Sequence, residues 1–407
     1  MLGPLATAGP LRSFRVRDFR FLWISNAAVR LAEQMQLLVL SWFVVTETGS
    51  PLLLGLFGAL RFSGTLFGAA YGVVADRSNR RRLLVGGRLA ICTLSTAILL
   101  LVLADRLEPW HVFVLVGFGG LARAFDNVVR QTVVADVVRR EELINAMALD
   151  RTGSDASQMI GPIVGGVLLS RFDMGPAFAV IVAVYLVAAL SAFMLRSTDP
   201  APTPVTASMW RDLVEGGGYI RKNDAILALL LFAFLVNLVA FPLTHGFMPI
   251  FARNVLNTGP LGLAALTSSV ATGAFIGSFT LAARGRVARP GIFVVLAVLL
   301  WISSLLFFSQ SSWLFASMAI LLTAGVAQSF SLVTVDTQLL RLPPAELRGR
   351  IMGVRSMAVY GLPMGLLMAG ALADVLGAPL ALGATAIGGA VMTALIAALL
   401  RGLWALH

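Results

Sequence analysis

The sequence predicts an all-α membrane protein of twelve transmembrane helices, arranged as two sets of six. Three observations carry that prediction. The chain of 407 residues is 58% hydrophobic and only 13% charged, with a mean hydropathy of +0.88, whereas a soluble domain has about a quarter of its residues charged. Apolar runs of about 20 residues, the length that crosses a bilayer core, recur from end to end. Basic residues gather in every second connection between those runs.

Taken in order, the spans fall at about 19–46, 51–75, 83–104, 110–137, 143–170, 175–195, 225–252, 260–283, 291–310, 312–340, 348–375 and 379–400. Several exceed 20 residues, which tilt accommodates. Arg12, Arg15, Arg17 and Arg20 lead into span 1, which reads as a retained helix and not a cleaved leader. With the N-terminus inside, the basic clusters of 12–20, 77–82, 139–140, 196–222, 284–289 and 341–350, together with Arg401, are cytoplasmic. Only Arg106, Arg171 and Arg253 fall in outer connections. That asymmetry places both termini in the cytoplasm and requires an even number of spans.

Residues 196–224 form the one long connection, with Asp199, then Pro200, Pro202 and Pro204, then an amphipathic piece from Trp210 to Ile220 expected to lie at the membrane surface. It divides the chain into a bundle at 1–195 and a second at 225–407. The halves look like repeats. Shifted by about 204 residues, Glu142-Leu143 falls on Glu346-Leu347, and Arg151 on Arg355. Shifted by about 209, Gly68, Arg77 and Arg80 fall on Gly277, Arg286 and Arg289, while Asp76 meets Gly285. Two six-helix halves related by an axis along the membrane normal are a known transporter architecture.

Composition also excludes. The net charge of +11 is spread over inter-helix loops, so it does not point to nucleic acid. Lys222 is the sole lysine. Cys92 is alone and lies inside span 3, so no intramolecular disulfide forms. Three histidines and one cysteine leave no metal cluster. His245, between Pro242 and Pro249, is expected to be hydrogen-bonded and not metal-bound. The chain has no nucleotide-binding Gly-rich loop, no nucleophile–base pair outside the bilayer and no soluble domain, so an enzyme is not expected. With no cofactor, the energy for any work must come from an ion gradient.

Three stretches carry motifs. The connection after span 2 reads Gly72-Val-Val-Ala-Asp76-Arg77-Ser-Asn79-Arg80-Arg81-Arg82. It resembles the loop 2–3 signature of the major facilitator superfamily, Gly-x-Leu-Ala-Asp-Arg-x-Gly-Arg-Arg. Gly72, Ala75, Asp76, Arg77, Arg80 and Arg81 match it. Asn79 replaces the second Gly, a mild change because Asn tolerates the left-handed conformation expected of a tight turn. The resemblance implies a cytoplasmic gate, in which Asp76 caps a neighbouring helix and pairs with arginine. Span 5 contains Gly161-Pro162-Ile163-Val164-Gly165-Gly166, similar to the antiporter signature of the drug-efflux branches, with Ser157 where that signature has an earlier Gly. Small residues let helices approach closely and proline bends one of them. Span 4 reads Arg123-Ala-Phe-Asp126-Asn127, where the family has Arg-x-x-Gln-Gly. Arg123 matches; Asp126 and Asn127 depart. Thr46–Pro51, Arg140–Leu143 and Leu347–Arg350 resemble the branch of enterobactin-type siderophore exporters and macrolide efflux pumps.

Ionisable residues inside a membrane span are functional candidates by default. Arg30 and Glu33 on span 1, and Arg123 and Asp126 on span 4, each sit three residues apart, on one face and about 4.5 Å apart in depth. Antiparallel spans put Glu33 near the depth of Arg123 and Arg30 near that of Asp126. The expectation is a cross-helix quartet, Glu33–Arg123 and Arg30–Asp126, that lines the cavity and carries the coupling proton. The alternative pairs each helix's charges within itself. Asn26, Asp155, Gln158, Asn237, Asp336 and Gln338 are further candidates for a substrate cavity. Arg61 is either a structural partner or part of it.

The resemblance implies a secondary transporter of the bacterial cytoplasmic membrane, a monomer in the lipid bilayer, that exports an amphipathic small molecule by proton antiport with alternating access. An importer or facilitator on the same fold, and a non-transporting sensor or scaffold, are the alternatives.

Overall fold

The computed structural model describes residues 12–68, 71–72, 74, 78–139, 142–196, 218–221, 223–285 and 287–406. Asp76 and Arg77 of the loop motif and residues 197–217 of the linker lie outside the described residues. Helices follow the expected spans: α1 (Arg17–Thr48), α2 (Pro51–Leu60), α3 (Arg80–Leu103), α4 (Pro109–Val137), α5 (Leu143–Phe172) and α6 (Met174–Phe193). The second set is α7 (Asp224–Val255), α8 (Pro260–Arg284), α9 (Pro290–Ser309), α10 (Leu314–Arg341), α11 (Arg348–Leu376) and α12 (Ala378–Leu399). Ten of the twelve are long and apolar enough to cross a bilayer on composition alone. The other two are α2, which breaks after Leu60, and α5, whose first half carries Asp150, Arg151 and Asp155.

Local sequence explains the ends. Pro109, Pro260 and Pro290 each open a helix, where the missing N–H costs nothing. Gly285 closes α8 at φ +67°, a left-handed cap that a Cβ would oppose. Asn79 corrects one expectation. Its φ of −62° and ψ of 108° are extended, not left-handed, and its side chain accepts from the Arg82 amide at 3.1 Å. It is an N-cap, so Asn79→Ala is expected to cost about 1 kcal/mol at the start of α3. Faster hydrogen exchange at Arg82 would report it.

Span 2 was expected as one helix to residue 75. Instead α2 ends at Leu60, turns, and continues as a 3₁₀ stretch at Ser63–Phe67. The Ser63 hydroxyl donates to Gly117 O of α4 at 3.1 Å, and Thr65 turns back to Phe62 O at 2.7 Å. These bonds offer the backbone an alternative to the helical ladder. The chain can press there because the contact is made of small residues. A Cβ on Gly120 would sit 2.5 Å from Leu60 O, and one on Gly64 would sit 2.7 Å from Ala124 Cβ. In α7, Pro242 and Pro249 flank π-helical turns at Leu243–Phe247 and Phe251–Val255. Proline has no N–H to give, so the hydrogen-bond register slips there.

The described residues divide into two compact units, one drawn from Met1–Phe43 and Leu60–Pro204, the other from Val44–Ala59 and Val205–His407. Internal packing repeats between them. In the first, α4 packs on the turn after α2, and α3 on α6; in the second, α8 packs on α10, α9 on α12, and α7 on α11. The crossing of Gly64 and Gly120 is matched by that of Gly273 and Gly325. Outward faces are apolar: Leu190, Phe279, Phe307, Phe315 and Leu399 are each about 60–75% exposed. Lipid is the solvent that such a surface suits. Buried polar groups belong inside, and in the first unit they are many.

Candidate functional site

Five helices of the first unit converge on a chain of buried charges. At its base, Arg88 of α3 is fully buried. Its Nε faces Asp126 Oδ1 of α4 at 3.2 Å, Nη2 donates to Asn26 Oδ1 of α1 at 2.5 Å, and Nη1 donates to Ser25. Asn26 donates onward to Asp150 Oδ1 of α5 at 2.6 Å, and Arg130 of α4 pairs with Asp150 Oδ2 at 2.6 Å. Each charge here has an oppositely charged partner on another helix, as buried charges must, although Arg130 Nε is buried without an acceptor.

One to two turns along α1 lies a second tier. Glu33, 5% exposed, accepts from Arg30 Nη1 at 2.9 Å and faces Arg123 Nε at 3.7 Å. Arg30 also donates to Asn127 of α4. Beyond Glu33, Gln36 Oε1 accepts from Tyr185 OH of α6 at 2.9 Å and from Ser95 of α3 at 3.2 Å. Arg30 and Arg123 are each 20% exposed, so this tier is reached from solvent more readily than the Arg88–Asp126 pair, at 0% and 4%.

The expected quartet is therefore half present. Glu33 meets Arg123 across the helices and meets Arg30 within its own. Arg30 does not pair with Asp126, because Arg88 holds that carboxylate and Asn127 takes the free edge of Arg30. The Glu33–Arg123 contact is the one the antiparallel depth argument expected, whereas for Asp126 α3 supplied a competitor.

The antiporter-type motif faces α1. On α5, Gly153, Ser157, Gly161 and Gly165 form a stripe at i, i+4 spacing. Ser157 Oγ reaches Ala27 O at 3.1 Å. A Cβ on Gly161 would lie 2.5 Å from Gln34 Cβ, and one on Gly165 would lie 3.1 Å from Met35 Cα. Pro162 sits buried inside an unbroken helix, and Gly166 is buried beside the stripe. The α1 residues that this seam meets, Leu31, Gln34 and Met35, are chain neighbours of Glu33. Gly161→Leu is expected to destabilise by about 1–3 kcal/mol through overpacking, measured as a fall in unfolding temperature in detergent. Gly86→Ala, at a helical position with nothing within 4 Å of the added carbon, should not lower it.

The remaining candidates scatter. Arg80 grips Asp136 of α4 with both carboxylate oxygens, at 2.9 and 2.7 Å, and Arg81 donates to Phe193 O at 2.6 Å, so both are anchored within the first unit. Gly72 is helical with open space around it. Asp155 pairs with Arg151 on its own helix at 3.0 Å. In the second unit, Asn237 donates to Ala233 O on its own helix, and Asp336 pairs with Arg355 of α11 at 2.9 Å. Gln158 and Gln338 are half-buried. His245 stacks on Phe241, whose edge meets the buried Trp301. The repeat that carries Gly120 to Gly325 carries Arg123 to Gln328, and the shift of 204 carries Glu33 to Asn237. Two members of the charged tier, Glu33 and Arg123, thus have uncharged counterparts in the second copy.

Sequence reading missed Arg88, Arg130, Asp150 and Tyr185. The first three had the same signal as the residues it found, an ionisable group inside an expected span. Tyr185 had none.

A sequence model described as Major Facilitator Superfamily matches residues 22–366. Macrolide efflux protein A of Streptococcus pyogenes is 23% identical over 377 residues, covering 88% of this chain and 90% of that protein. The enterobactin exporter EntS of Shigella flexneri is 24% identical over 302 residues, 74% of this chain and 70% of that one. Among solved structures, a bacterial homologue of the human lysosomal transporter Spinster, in an inward-facing and unoccupied conformation, superposes with a TM-score of 0.74 at 16% identity, over 96% of this chain and 98% of that one. A POT family transporter in complex with 5-aminolevulinic acid gives 0.75 at 12% identity, over 95% and 96%. At these identities the structural likeness speaks for the fold.

Proposed function

The chain belongs to the major facilitator superfamily, and we propose that it exports an amphipathic small molecule in exchange for protons, by alternating access. It is a multi-pass membrane transporter. Export is supported by the relatives, which are named for macrolide efflux and enterobactin export. The observation that carries proton coupling is Glu33, a buried carboxylate held between Arg30 at 2.9 Å and Arg123 at 3.7 Å. A carboxylate in that position changes its grip on Arg30 of its own helix and on Arg123 of α4 when it takes up a proton, which is the linkage an ion-driven transporter needs. Asp126 suits the role less well, since its partner Arg88 is sealed from solvent. The working unit is a monomer in the bacterial cytoplasmic membrane, with both termini inside, needing no cofactor and binding no nucleic acid.

The test is accumulation of amphipathic dyes and antibiotics in a host stripped of its own pumps. Cells expressing the protein should hold less of at least one compound, and an uncoupler should restore it to the level of empty cells. Greater accumulation on expression would reverse the direction. Extrusion indifferent to the uncoupler would remove the proton.

A further inference from the structure

The second tier holds more positive charge than it needs. Arg30, Arg61 and Arg123 gather there around one carboxylate, Glu33. Arg61 is placed by the break in α2. The turn there lays Arg61 O within 3.0 Å of where a Gly120 Cβ would be, one helical turn from Arg123. Its guanidinium lies in Coulomb range of Arg123 and Glu33, yet makes no hydrogen bond or ion pair among the described residues. Glu33 is already engaged by the other two. Among the described residues the network holds five guanidiniums (Arg30, Arg61, Arg88, Arg123, Arg130) to three carboxylates (Glu33, Asp126, Asp150).

Like charges brought together at membrane depth repel and are poorly solvated, so the arrangement calls for a counter-charge. We propose that Arg61, with Arg123, binds an anionic group, a carboxylate, sulfonate or phosphate, carried by the transported molecule. Guanidinium forks match such groups in pairs of parallel hydrogen bonds. The same surplus disfavours a permanently cationic ligand. This deepens the export reading and rests on it for the ligand being cargo. A proton on Glu33 enlarges the surplus and does not oppose the ligand. Strict exchange must therefore be enforced by which loaded state reorients, not by competition for the site.

The experiment uses a matched pair of permanently charged amphiphiles, radiolabelled decane-1-sulfonate and decyltrimethylammonium, on the full-length protein in nanodiscs of zwitterionic lipid, with empty nanodiscs subtracted. Saturable binding of the sulfonate, weakened at least about tenfold in Arg61→Gln and largely kept in Arg61→Lys, is expected for the loss of one charge-assisted contact. Displacement by equimolar inorganic sulfate would assign the site to a free anion. Loss of binding in phosphatidylglycerol nanodiscs would assign it to a lipid headgroup. Either supports the anion site and moves only its source. Equal binding by wild type and Arg61→Gln, equal binding of the cation, or no saturable sulfonate binding overturns the proposal. The export reading fails separately: proton-linked flux absent in vesicles while sulfonate binding persists sinks export and leaves the site standing.

Discussion

Replacing Arg88 with leucine is expected to cost about 3–5 kcal/mol, a large share of the roughly 5–15 kcal/mol that holds a domain folded. The guanidinium is fully buried and serves three partners on two helices: Asp126, Ser25 and Asn26. Removing it strands the Asp126 carboxylate, itself 4% exposed, without the guanidinium that pairs with it at 3.2 Å, leaving only the more distant Arg30 and Arg130 as nearby cations among the described residues. It also frees the Asn26 oxygen, and with it the link from α1 through Asp150 to Arg130. The measurement is thermal unfolding and monodispersity in detergent. A second variant separates loss of the pair from loss of the side chain. In Arg88→Leu/Asp126→Leu both charges go together, and replacing a buried pair by apolar groups of similar size is often neutral. The double variant should therefore recover most of the stability the single one loses, even if the single variant cannot be purified. A single variant as stable as wild type would show that Asp126 does not depend on Arg88.

The second large effect is functional. Glu33→Gln should lower pH-gradient-driven flux more than tenfold, in the range general for removing a positioned acid–base group, while leaving substrate exchange at equal pH in place. Glutamine keeps the shape of the carboxylate, and its one amide oxygen can accept from Arg30 or from Arg123, which meet different oxygens of Glu33, but it cannot lose a proton. It therefore mimics the protonated state permanently and biases the equilibrium between conformations one way. Asp126→Asn is the comparison: its pair with Arg88 is sealed, so it should lower stability more than coupling. Proteoliposomes with an imposed pH gradient, loaded with whichever compound the accumulation screen selects, give the readout. If Glu33→Gln responds to the gradient as wild type does, the coupling proton is carried elsewhere.

What the sequence determined by itself was the class and its layout. Hydropathy, the placement of arginine and the spacing of apolar runs are properties of segments, and a bilayer sorts segments with little regard to their neighbours. Twelve spans were legible for that reason, and so was the depth of Glu33 relative to Arg123. The small residues of span 5 were legible as a seam because spacing alone puts Ser157, Gly161 and Gly165 on one face. Their partner was not, since nothing in 157–166 says that α1 lies opposite. Only the tertiary structure decided which charge meets which. Depth fixes one coordinate of a side chain, while its partner also depends on the rotation of each helix, and that is set by packing against third elements. Arg88 from α3 displaced Arg30 from Asp126, and Asn127 took Arg30 instead. The break in α2 that brings Arg61 beside Arg123 likewise depends on Ser63 bonding to Gly117 of α4 and on the glycines that let those backbones touch. These are contacts between segments 54 residues apart in the chain, and a local pattern carries no record of them.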